Sequence, residues 1–105
     1  MRAIMKLTFT QPQANALFDL FQDQILPDNP FDLDEKLLQI LMIKVFKKLR
    51  AKLEGKPGQG YSVSLSDEET IAFYLYFNGR DYGQNYIYEQ SFIRKQIQQI
   101  DKQYK

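Results

Sequence analysis

The chain has 105 residues, 14 basic against 13 acidic side chains for a net charge of +1, and neither Cys nor His. Without Cys there is no disulfide, thiolate metal site or cysteine nucleophile; without His, Ser-His-Asp, Cys-His and HExxH chemistry are excluded. The balanced charge gives no bulk pull toward nucleic acid or anionic membrane.

A hydrophobic content of 44%, with eight Phe and seven Tyr, indicates a folded globule with a ring-rich core. The length predicts one domain, residues 1–105. Met1 to Thr10 carries no apolar core of signal-peptide length, and no apolar run approaches the ~20 residues that span a bilayer. A cytoplasmic protein without membrane contact is therefore expected, and the Lys/Ile/Tyr/Gln-rich composition is of a bacterial kind.

Ile4 to Phe9 alternates as a half-buried strand, Leu7 and Phe9 on one side and Lys6 and Thr8 on the other. Thr10 with Gln13 forms a capping box, Pro12 sits in the first turn, and Ala14, Leu17, Phe18, Phe21 and Ile25 mark a helix face that Pro27 closes. Asn29 before Pro30, or Asp32 with Glu35, caps a second helix running to about Glu54. Its broad apolar face combines Leu37, Leu41, Val45 and Leu49 with Leu38, Phe46 and Leu53. "EGKPGQG" then ends it.

Tyr61, Val63 and Leu65 alternate with Ser62 and Ser64 as a second strand. Ser66 and Glu69 make a second capping box, leading into a helix with Ile71, Tyr74 and Leu75 at helical spacing beside Phe73 and Phe77. Gly79 stops it. A last helix, from about Asn85 to Tyr104, presents Tyr86, Ile93, Ile97, Ile100 and Tyr104 on one face.

The predicted fold is thus α+β and mainly helical, with four helices and a two-stranded antiparallel ribbon in β-α-α-β-α-α order. An all-α bundle is the alternative, because short apolar strands can be absorbed as helix ends. The expected core includes Leu7, Phe9, Leu17, Phe21, Leu37, Leu41, Leu49, Val63, Leu65, Phe77, Ile93 and Ile97. Offset by 56 residues, the two halves share their strand, cap and helix order, yet Ala16/Ala72, Phe21/Phe77 and Asn29/Asn85 are the only identities. Any strand-to-helix junction with a hydroxyl cap would look alike, so the likeness speaks to architecture.

Two stretches carry candidate surfaces. "YFNGRDYGQNYIY" gathers Tyr76, Tyr82, Tyr86 and Tyr88 around Arg80, residue types over-represented at protein interfaces and also able to stack bases. The competing reading is rings that close the core with wet hydroxyls. "KVFKKLRAK" sets Lys44, Lys47, Lys48 and Lys52 along one side of a helix, either a phosphate-contacting stripe extended by Arg80, Arg94 or Lys95, or a solvated face. "DNPFDLDE" fails the calcium-loop spacing, "GKPGQGYS" fails the phosphate-loop order, and Asp67, Glu68 and Glu69 point apart on a helix.

No catalytic, metal or cofactor site is expected. The function expected is a non-enzymatic protein-interaction or regulatory module, binding a protein partner or itself through Tyr76, Arg80, Tyr82, Tyr86 and Tyr88. The alternative is a nucleic-acid accessory protein using Lys44, Lys47, Lys48 and Lys52.

Overall fold

The computed structural model describes residues 5–55, 60–78, 80 and 82–104. Strand β1 is Met5–Thr10 and helix α1 is Gln11–Leu20, continued by a π-helical segment, Phe21–Ile25. Helix α2 is Leu33–Glu54, strand β2 is Gly60–Leu65, helix α3 is Asp67–Phe77 and helix α4 is Ile87–Tyr104, entered through a 3-10 turn at Gln84–Tyr86. This is the mainly helical α+β order read from the sequence. Ile4, Gly79 and the connector 56–59 lie outside the described residues.

The strands pair antiparallel from Met5 opposite Leu65 to Thr10 opposite Gly60. Met5, Leu7 and Phe9, with Tyr61, Val63 and Leu65, face the helices, while Lys6, Thr8, Ser62 and Ser64 face out. Both capping boxes form: Thr10 Oγ1 accepts from Gln13 N and Ser66 Oγ from Glu69 N, each cap amide being taken by the third side chain. The Leu26 amide donates to the Phe21 carbonyl at 2.9 Å, the bond that widens the end of α1 into its π turn just before Pro27.

The ladder also answers how the halves relate. Leu7 and Val63, equivalent at the 56-residue offset, lie directly opposite each other, so exchanging the halves maps the ladder onto itself. Phe21 and Phe77, likewise equivalent, meet edge to face at 6.3 Å. Lys48 of α2 donates to the Ser64 carbonyl and Gln96 of α4 to the equivalent Thr8 carbonyl. The two halves thus meet across the ribbon and again at the Phe21–Phe77 ring pair.

Most of the expected core is buried, and Leu41 and Ile97 are half-buried. Leu37 is the correction: it is 56% exposed. Helix α2 buries Gln39, Met42, Val45, Phe46 and Leu49, and at 100° per residue Leu33, Leu37 and Ile40 fall on the opposite side. On α3, Phe77 is buried as expected, together with Ala72, Phe73 and Tyr76, while Ile71 and Leu75 face out.

The start of α3 is tied to α2 by an ion pair. Lys48 Nζ lies 2.5 Å from Glu69 Oε1 and 2.9 Å from the Ser64 carbonyl, and the same Glu69 oxygen accepts the Ser66 amide. Burial pushes the Glu69 carboxyl up, but Lys48 and Ser66 outweigh it and hold the group below its ordinary value of 4.5. A carboxyl lowered in the fold contributes stability above its unfolded value and loses it as pH falls through the folded one. Glu69→Gln keeps a capping-box side chain but removes the charge. It is expected to cost about 1–2 kcal/mol at pH 7, with the gap to wild type closing in acid. Urea melts across pH 3–7 check this, and a gap independent of pH would refute it.

Candidate protein-interaction site

The tyrosine cluster divides between core and surface. Tyr76 is buried on α3, and the Arg80 guanidinium lies 3.9 Å from the centre of its ring. Arg80 Nη2 donates to Glu35 Oε2 at 2.6 Å, so Glu35 anchors the loop after α3 instead of closing a box with Asp32, whose side chain makes no cap bond. Burial pushes the phenol of Tyr82 well above the ordinary tyrosine range and raises that of Tyr76 too. The Tyr86 hydroxyl accepts from Gln24 at 3.3 Å and reaches Asp23, fastening the 3-10 turn ahead of α4 to the π segment. Of the five residues, only Tyr88 is exposed, with its ring edge on Phe92. Most of this cluster is wall, not surface.

Two of the five, Arg80 and Tyr82, line a cleft of about 720 Å³ between the end of α3, residues 82–84 and α4. Phe77, Ile93 and Ile97 give it apolar lining, Arg80 and Arg94 supply two cations, and no carboxylate is among the described lining residues. Gln90 stiffens one side by accepting the Tyr82 amide at 3.1 Å and donating to the Gly83 and Tyr86 carbonyls. Gly83 turns the chain into that side at φ +86°, a conformation that a Cβ would strain.

Larger exposed apolar groups lie elsewhere. Leu33 is 83% exposed and continues through Leu37 and Ile40 as an outward stripe of α2, while Ile71 and Leu75 face out from α3. The pairs Lys48–Glu69 and Glu35–Arg80 fix α2 and α3 as antiparallel neighbours. The helix period sets Leu37 and Leu75 on the outer flank of that seam. This face was not expected, although the i, i+4, i+7 spacing of Leu33, Leu37 and Ile40 marks it: α2 carries apolar residues on two sides, and one core uses only one.

Phe31, in the loop ahead of α2, is 104% exposed, as open as an isolated residue. Asp28, Asp32 and Asp34 around it are exposed too.

The lysine stripe is only partly available. Lys44, Lys47 and Lys52 are exposed, but the Lys48 ammonium is engaged by Glu69 and Ser64, and Arg50 pairs with Glu54 one turn on. Arg80 sits at the opposite end of α2, beside Glu35, and Arg94 and Lys95 belong to α4, which packs on α1 and α3. The stripe is not extended by them into one basic surface.

Among the described residues, no group of three or more acidic side chains is placed to hold a metal ion, and no helix is long and apolar enough to cross a membrane. The chain matches no family model, no curated protein and no solved structure at a significant level.

Proposed function

We propose that this chain is a non-enzymatic protein-interaction module working through the outer face of α2 and α3. The carrying observation is that Leu33, Leu37, Ile40, Ile71 and Leu75 are all exposed there. Exposed apolar side chains gathered on two neighbouring helices are the kind of surface that meets a partner. The absence of His and Cys from the sequence, which removes the commonest catalytic groups, points the same way. The expected setting is a bacterial cytoplasm, an inference from composition, and no cofactor is part of the reading.

Leu37→Lys combined with Leu75→Lys tests it. Cross-linking in extract of the source cells, identification of the captured protein and rebinding with that protein purified form the assay. The double variant is expected to bind at least ~30-fold more weakly, the loss of a hot-spot pair, while melting within a few degrees of wild type. Equal binding by both proteins, or no purified protein that rebinds, would refute the reading.

A nucleic-acid accessory role keeps one supporting observation, the exposure of Lys44, Lys47 and Lys52. A titration with random duplex DNA at low salt decides it, since phosphate binding must weaken steeply as salt rises.

A further inference from the structure

We infer that Phe31 and its acidic loop dock into the Arg80–Arg94 cleft of a second copy of this chain, each copy serving as both knob and socket. This rests on the interaction-module reading but uses a different part of the surface and names the partner.

The chemistry of the two surfaces is complementary. The knob is a fully exposed phenyl ring between Asp28, Asp32 and Asp34. The socket is a cleft lined by Phe77, Ile93 and Ile97, with Arg94 exposed on its wall and Arg80, paired with Glu35, beside it. Its volume of about 720 Å³ falls within the range of pockets that enclose a ligand. An aromatic anchor seated in a pocket with arginines at its edge is the usual composition of an interface hot spot.

Both parts are held before they meet. Gln39 donates to the carbonyls of Ile25 and Asp28 at the near end of the loop, and the Lys36 amide bonds the Asp32 carbonyl at the far end. The socket side is fixed by Gln90 and by the stacking of Arg80 on Tyr76. Less ordering entropy is then lost on association. The guanidinium of Arg80 is held by Glu35 against the Tyr76 ring, while Arg94 stands exposed on the cleft.

Position supports a closed dimer. Glu35, four residues beyond Phe31, touches Arg80 on the cleft wall, so knob and socket stand at the same end of the molecule. Two copies related by a twofold can therefore exchange knobs reciprocally, which closes the assembly. Knob and socket at opposite ends would instead propagate a filament.

Sedimentation equilibrium over a wide concentration range tests this, with Phe31→Ser and Arg94→Glu as variants. Both residues are exposed, so the fold should survive, and thermal melts verify that it does. Wild type is expected to dimerise, more weakly as salt rises, and each variant to raise the dimer Kd ~30-fold or more. Mixing the two variants restores one contact, because the intact Phe31 of the Arg94→Glu copy meets the intact cleft of the Phe31→Ser copy. The mixture should associate where neither variant does alone. A monomeric wild type overturns self-docking, as does a mixture that stays monomeric. A monomer that still binds an identified protein through Leu37 and Leu75 overturns only self-docking and leaves the module reading standing. A dimer that survives Phe31→Ser but not Leu37→Lys with Leu75→Lys moves the second copy to the α2–α3 face and overturns the socket.

Discussion

Phe21→Ala is expected to lower the unfolding free energy by about 3–5 kcal/mol, the cost of removing a large buried ring whose neighbours cannot collapse into its place. Phe21 is fully buried and lies at the junction of the two halves, 5.5 Å from the ring of Phe46 and 6.3 Å from that of Phe77. Phe46 in turn stacks on Phe18 at 5.0 Å, and Phe77 meets Phe73 at 4.9 Å, so one cavity would loosen rings on α1, α2 and α3. Domains of this size are stable by about 5–15 kcal/mol, so the variant should melt on the order of 15 °C lower. Phe77→Ala should behave alike. Because the two rings touch, the double variant is expected to lose less than the two single losses combined, by about 0.5–3 kcal/mol. Phe31→Ala is the control and, measured at dilution where the chain is monomeric, should change stability by less than ~0.5 kcal/mol. A loss below ~1 kcal/mol for Phe21→Ala would refute a ring core shared by the halves.

Gln39→Glu is the second. The Gln39 amide is buried on α2 and its NH₂ group donates to the carbonyls of Ile25 and Asp28. A carboxylate of the same shape has no proton to donate and would face two carbonyl oxygens, so the variant is expected to lose about 2–3 kcal/mol at neutral pH. Protonation restores a donor, so the loss should shrink in acid, which a mere packing defect would not do. Hydrogen exchange should quicken first in residues 26–32, the loop that carries Phe31, before the β1–β2 ladder responds. Guanidinium melts at pH 7 and pH 4 with exchange mass spectrometry measure both effects. Equal loss at the two pH values would remove the donor role assigned to Gln39.

Much of the architecture was legible without coordinates because its signals are local. Thr10 with Gln13 and Ser66 with Glu69 announce helix starts by bonds that span three residues, and both boxes form as read. Alternation in Leu7–Phe9 and Tyr61–Leu65 requires only that one strand face be buried, and Pro27 ends its helix by chemistry of its own. Length, the missing His and Cys, and the order of elements needed nothing further.

Which apolar stripe of a helix turns inward was not local. Helix α2 carries Leu33, Leu37 and Ile40 on one side and Met42, Val45, Phe46 and Leu49 on the other, and periodicity alone describes both equally well. The choice fell to packing: α1 and the π segment bring Phe18 and Phe21 against Phe46, and α3 packs on α2 as well, leaving the other stripe in solvent. Tyr76, Arg80 and Tyr82 were likewise found as a cluster from their spacing, but Glu35, 45 residues from Arg80, is what holds the guanidinium against the Tyr76 ring. A pair so far apart in sequence leaves no local trace, because each partner reads equally well as a solvated charge. The sequence by itself determined the elements and their order; only the tertiary structure decided which apolar faces stayed exposed, because burial depends on neighbours that the chain brings in from a distance.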